Sequence, residues 1–202
     1  MHYQMTNLEE DIRDLYHSLG IYSPSEIDMY HIANELDVWI HYHKRNSEVF
    51  KKPNGLYSIF LDERISPQKQ WEDFGHEFGH VLKHVGYQFK MKKMFRQLQE
   101  DQANNFMYHF CVPTFMLLNY EISNYYNLKD GIPFVIETFN VTEEFAKKRL
   151  IHYRNQIQQA KLDEQHRKCM ESLYPKAPPY SDETNSILNK LNILLEKKGV
   201  TL

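Results

Sequence analysis

The chain has 202 residues, a net charge of −3 at pH 7 and 42% apolar residues, with 12 Phe, 14 Tyr and two Trp. That suffices for one well-packed domain plus an appendage, and the charge gives no global reason to bind nucleic acid or a membrane. No apolar run approaches the roughly 18 residues of a membrane span, the polar opening Met1 to Glu10 is not a secretory leader, and Cys111 and Cys169 lie far apart, so the expectation is a cytoplasmic protein with free thiols.

In chain order, residues 7–19 predict an amphipathic helix with Leu8, Ile12, Leu15 and Leu19 on one face and Gly20 as its stop. Ser23-Pro24-Ser25-Glu26 opens a second helix, expected to run through Leu36. Val38 to Tyr42 reads as a strand by its β-branched and aromatic content, and Leu56 to Leu61 as a second, expected to pair antiparallel with the first. Between them lies a polar stretch ending in the turn Pro53-Asn54-Gly55. An edge strand here would suit an extended substrate. A helix is expected from Pro67 to about His84, a basic loop over 86–93, then a helix ending before Pro113. Another is expected from Pro113 toward Tyr125, a turn at 129–131, and a helix over 132–139. A further helix, capped by Thr142, should run to about Ala160. Tyr174 to Pro179 is a Pro-rich break, followed by a short helix carrying Ile187, Leu188, Leu191, Leu194 and Leu195. The domain reading is 1–160, with 161–202 as linker and terminal helix.

The chemistry lies in WEDFGHEFGHVLKH, where His76-Glu77-Phe78-Gly79-His80 forms an H-E-x-x-H pattern inside a helical period. Four residues apart on a helix is one face, so His76 and His80 aim two imidazoles at one point. Neutral imidazoles are zinc ligands, and a catalytic zinc takes three protein ligands and keeps a fourth position open. Glu77, about 100° around the helix from His76, is the candidate general base beside that position. Phe74, Phe78, Val81, Leu82 and Val85 form an apolar stripe. Gly75 and Gly79 weaken the helix, which makes sense if a neighbouring element approaches closely.

A third ligand is needed. Lys83 and Gly86 stand where a metzincin would carry Gly and His, which excludes that class. His84 lies eight residues beyond His76, about 12 Å along the axis, too far to share one ion with it, and is expected near the ligands instead. Glu100, on the next predicted helix with Phe95, Leu98, Phe106 and Phe110, is the candidate. Asp101, about 100° away on that helix, is its rival. Asn104, four residues after Glu100, could accept the free N–H of a ligand histidine. Tyr57, Tyr108, His109 and His152 are the candidates for stabilising an oxyanion.

HEFGHVLKH, then Glu100, Ala103, Asn104 and Phe106, then Cys111-Val112-Pro113, resembles the ImmA/IrrE family of metallopeptidases. So does Phe139-Asn140-Val141-Thr142 with Ala146 and Arg149-Leu150. Met107 and Cys111-Val112-Pro113 depart from the family's usual Ala and Leu-Met-Pro. The resemblance spans residues 8 to about 155. It implies an α+β, mostly helical zincin-like core with a small sheet beside the H-E-x-x-H helix and a helical C-terminal part. It also implies Zn²⁺ as cofactor and a protein substrate, a helix-turn-helix transcriptional repressor of a mobile element or stress genes. The alternative is a metal-bearing protein that inactivates such a repressor by binding alone. The turn at Asn140 between two helices is not read as DNA-binding, because Glu143 and Glu144 stand where base-reading residues would.

Overall fold

The computed structural model describes residues 3–52, 55–83, 93–119, 128–174 and 178–197, with side chains withheld at 128–130 and 196–197. The fold is α+β and mostly helical, with one three-stranded sheet. The chain divides into two compact units, Met1–Ala160 and Lys161–Leu202.

In the first unit, α1 (Asn7–Ser18) starts on a capping box. Thr6 and Glu9 satisfy each other's backbone N–H groups, and Gly20, at φ 72°, ends the helix in the left-handed region. The second helix is broken where one continuous helix was expected. Pro24–Glu26 is a single 3₁₀ turn, and Asp28 caps a new helix, α2 (Met29–Glu35), by accepting the Tyr30 N–H at 2.8 Å. The Glu26 carboxylate accepts the Tyr22 and Ser23 N–H groups and the Asp28 carboxylate accepts that of Tyr30, so two short elements replace one.

The sheet also departs from expectation. β1 (Val38–His43) pairs with β3 (Tyr57–Asp62) in parallel, and the strand antiparallel to β3 is β2 (Glu48–Lys51), which fell in the stretch read as polar. The order is β1-β3-β2, so the turn at Gly55 (φ 88°) closes a β2–β3 hairpin and β2 is an edge. Edge strands carry charged residues that discourage further pairing, and Glu48 and Lys51 hid this one. Ile59 and Leu61 are fully buried on the face toward α3 (Pro67–Lys83), whereas Trp39 and Phe50 stand about half exposed on the other.

α3 packs on α4 (Lys93–Cys111), and the two run antiparallel: Gly75 faces Met107, Phe110 and Cys111, while Gly79 faces Ala103 and Phe106. A Cβ on Gly75 would stand 2.6 Å from Cys111 Sγ, and one on Gly79 would stand 3.3 Å from Ala103 Cα, so the glycines permit the close approach expected of them. Around that seam Phe74, Phe78, Phe106 and Phe110 form the centre of the core, with ring centroids 5.2–6.3 Å apart. The predicted stripes run past the buried region: Leu82, Phe95 and Leu98 are exposed, and Val85 lies outside the described residues.

The bend after α4 is pinned from three directions. Tyr16 Oη donates to the Phe110 carbonyl at 2.9 Å, and Arg149 Nε donates to the Val112 carbonyl at 3.1 Å. Arg149 Nη2 also donates to Thr114 Oγ1 at 2.7 Å, and that hydroxyl donates to the buried Glu9 carboxylate. Thr114 opens α5 (Thr114–Leu118); residues 120–127, where it was expected to continue, lie outside the described residues. α6 (Leu128–Phe139) contains Pro133 and begins before the turn expected at 129–131, since burial of Gly131, Val135 and Phe139 along one face outweighs the Gly and Pro signals. Asn140 (φ 51°) then turns the chain, and Thr142 caps α7 (Glu143–Leu173) by accepting the Phe145 N–H. Glu72 of α3, buried, accepts the Thr142 N–H at 2.7 Å and so ties α7 to the metal-motif helix. α7 continues thirteen residues past Ala160, so helix fills 161–173 where the linker was expected to begin, and it ends just before the Pro-rich stretch; α8 (Asp182–Lys197) follows.

Candidate metal centre

α3 presents His76 and His80 one turn apart, and α4 brings Glu100 across from them. His76 Nε2 lies 3.2 Å from His80 Nε2 and 3.4 Å from Glu100 Oε2, and His80 Nε2 lies 3.7 Å from the same oxygen. These three side chains could hold a metal ion. Four-coordinate zinc at its usual bond lengths of about 2.0–2.1 Å separates neighbouring tetrahedral donor atoms by roughly 3.3 Å. The three observed separations bracket that value, and a donor set of two imidazoles and one carboxylate suits zinc among several divalent metals. The imidazole planes lie 79° apart, so the two nitrogens converge without stacking.

The α3–α4 seam produces this convergence. Gly79 lets α4 approach at Ala103, and Glu100 sits three residues before Ala103, on the turn level with the histidine pair. Asp101 is exposed and bonded to Gln97, away from the group. Asn104 is also exposed, and no hydrogen bond joins it to His76 or His80 among the described residues. His84 lies outside the described residues.

Glu77 is half-buried between α3 and the sheet. Burial pushes its carboxyl up to about 8, and the negative charges of Asp73, Glu100 and Glu48 push the same way, while a hydrogen bond from the Val49 N–H opposes them. A cation among His76, His80 and Glu100 would draw that value back down. Asp73, four residues before Glu77 and so legible as a neighbour in sequence, is oriented by the Ser47 hydroxyl at 2.6 Å. Val49 acts through its backbone N–H on the edge strand β2, which no residue type announces.

Of the oxyanion candidates, His109 is buried in the Glu9–Thr114–Arg149 network, its Nδ1 3.5 Å from Glu9 Oε1. Its proton affinity is pushed down to about 3, mainly by burial and then by the Arg149 cation, against the pull of Glu9. Tyr57, Tyr108 and His152 keep access to solvent.

A helix bearing H-E-x-x-H, a carboxylate delivered from the following helix and a small sheet alongside define a metallohydrolase-type centre. A family model described as Peptidase_M78, IrrE N-terminal-like domain, matches residues 33–151, and the chain belongs to that peptidase family. It is 51% identical over 146 residues, 72% of each chain, to the phage-like element PBSX protein XkdA of Bacillus subtilis (strain 168). It is 38% identical to the uncharacterized protein YqaB of the same organism, over 78% of this chain and 91% of that one. Among solved structures, a Mycobacterium tuberculosis transcriptional regulator shares the fold at TM-score 0.52 and 12% identity, over 70% of this chain; the chain spans 54% of that protein's length.

Proposed function

We propose that this chain is a zinc-dependent endopeptidase acting in the cytoplasm on a helix-turn-helix transcriptional repressor. The observation that carries the chemistry is the convergence of His76, His80 and Glu100 at tetrahedral donor spacing, with the Glu77 carboxyl beside it. Zinc held by these three residues would supply Lewis-acid polarisation of the scissile carbonyl and acidify water to near neutral pH. Glu77 takes the proton of the attacking water and hands it to the leaving amine. Its half-buried position keeps that proton from bulk water, and the Val49 N–H orients the carboxylate. Because β2 is an edge strand and Val49 faces Glu77, an extended substrate segment pairing with β2 would pass the reacting groups.

The substrate class rests on family membership and on the 51% relative, a phage-like element protein by name. The rival reading, inactivation by binding without cleavage, gives Glu77 no task. The test is co-expression with the helix-turn-helix repressor encoded nearest the gene, wild type beside Glu77→Gln, followed by intact mass of the repressor. A discrete cut with wild type, reduced at least 100-fold by Glu77→Gln with zinc content unchanged, supports the peptidase. An intact repressor that co-purifies with both supports binding alone. An intact repressor with no association removes the substrate assignment.

A further inference from the structure

A groove on the first unit shares no residue with the His76, His80 and Glu100 group and has no task in the proposed peptidase. It holds about 300 Å³ where α2 and the 3₁₀ turn before it, β1, the start of α3 and the turn between α6 and α7 meet. Its walls are aromatic: the buried Trp71 and Phe139, with the more exposed Tyr30 and Tyr42. The two tyrosine hydroxyls bond to each other at 2.6 Å and so tie α2 to β1. That volume falls at the low end of the range for small-ligand sites, about 300–1,000 Å³.

The polar groups select the charge of the ligand. Asp28 is the one charged residue of the lining, which contains no Lys, Arg or His. One Asp28 oxygen accepts the Tyr30 N–H at 2.8 Å, and no ion pair engages the carboxylate among the described residues. Donors for an anion are scarce. Pro67 has no N–H, and the Lys69 and Gln70 N–H groups go to Ser66. The Gln70 side-chain amide donates to the Asp62 and Ile65 carbonyls at 3.0 and 3.4 Å. What remains for a ligand is acceptors: the second Asp28 oxygen, Gln70 Oε1 and the tyrosine oxygens. The groove also meets the carboxyl end of α6 at Thr138 and Phe139, where the helix dipole favours a cation. Aromatic faces attract a cation as well, more strongly where water is partly excluded.

We infer that this groove binds an organic cation, a primary ammonium on an apolar stem, with the ammonium at Asp28 and the stem against Trp71 and Phe139. A free amine and the lysine side chain of another protein both present that chemistry. The inference does not rest on the peptidase assignment.

Titration of the isotope-labelled full-length chain with phenethylammonium tests this, read at the indole N–H signals of Trp39 and Trp71, which Trp39→Phe assigns. The Trp71 signal should shift and saturate, while that of Trp39, on the outer face of the sheet, stays. Phenethyl alcohol, the same stem without the charge, should bind at least roughly threefold more weakly. Asp28→Asn keeps the helix cap, because Asn caps as well as Asp. It should weaken phenethylammonium roughly three- to tenfold and leave the alcohol unchanged. Should that variant melt lower than wild type, the comparison of ammonium with alcohol on wild type carries the test. Nα-acetyl-lysine methylamide forms the second arm: saturation by it alone assigns the groove to a lysine side chain, by the arylamine alone to a free amine, and by both to the shared chemistry. A Trp71 signal that saturates with neither overturns the inference. So does an alcohol that binds as tightly as the ammonium, or a well-folded Asp28→Asn protein that binds the ammonium as wild type does.

Discussion

Gly79→Ala separates local helix preference from the geometry of the metal centre. In an exposed helix the change should stabilise by about 1 kcal/mol, since Ala is the better helix former by that amount. Here the added methyl would stand 3.1 Å from Phe106 Cδ1, 3.3 Å from Ala103 Cα and 3.4 Å from the Ala103 carbonyl oxygen. Two of those three atoms are backbone and cannot rotate away, so α4 must retreat by a few tenths of an ångström. Overpacking of this kind costs about 1–3 kcal/mol, which offsets the propensity gain and leaves a net destabilisation of roughly 0–2 kcal/mol. For a unit of about 160 residues that lowers Tm by up to about 8 °C. The larger effect should fall on metal binding. Glu100 lies one turn from Ala103 and moves with it, so zinc affinity should drop about 10–100-fold, the range seen when ligand support is disturbed. Competition against a chromogenic chelator measures the affinity and a thermal melt in chelator measures the fold. A Gly79→Ala protein that melts higher than wild type and binds zinc equally well would refute the argument that this seam places Glu100.

Two further outcomes follow from the same structure. Glu100→Gln should lose zinc by at least tenfold while Asp101→Asn keeps it, measured by metal content after dialysis; the reverse pattern would move the third ligand to Asp101. The buried His109 should make stability fall with acid. Its folded value, about 3, lies below the ordinary 6.5, so the unfolded chain takes up a proton first as pH drops. Its contribution is complete above pH 7 and lost progressively toward pH 3, amounting to about 2 kcal/mol by pH 5. The Glu9 carboxyl is held below its usual range despite the cost of burial, by the Thr114 hydroxyl, the Thr6 N–H and the Tyr3 hydroxyl, so it adds a second loss below about pH 4.5. Melting at pH 7 and pH 5 should therefore differ much less in His109→Gln than in wild type, and equal differences would refute the assignment of His109 as buried and neutral.

The legible parts of the chain were those whose signal is local. The spacing of His76 and His80 puts them on one helical face whatever surrounds them. Gly20, Pro67 and Thr142 end or start helices through their own backbone and side-chain chemistry. Even the close approach of a neighbour at Gly75 and Gly79 was legible, because two glycines in a helix need a reason. β2 was not, since Val49 and Phe50 are only two β-forming residues, set between Glu48 and Lys51 in a stretch read as polar. The parallel pairing of β1 with β3 was missed with it: with only two strands visible the pair was read as antiparallel, and only the unseen strand between them in sequence resolves the topology. Nothing local to Glu72 or Arg149 announces burial, yet each is buried and holds a bend or a helix start through backbone atoms far away in sequence.

The sequence by itself determined the chemistry available here: two imidazoles on one face, a carboxyl beside them, and an apolar period strong enough to bury the helix that carries them. Tertiary structure brings the favoured Glu100, and not its rival Asp101, to the histidine pair, because which carboxylate arrives depends on the height and rotation at which α4 is laid against α3. It also decided the state of Glu77, since desolvation and the facing charges of Asp73, Glu100 and Glu48 exist only once helix and sheet are packed together. The physical reason is range. Helical register and capping act over three or four residues and are written in the chain, whereas burial and electrostatics depend on distances that packing alone sets.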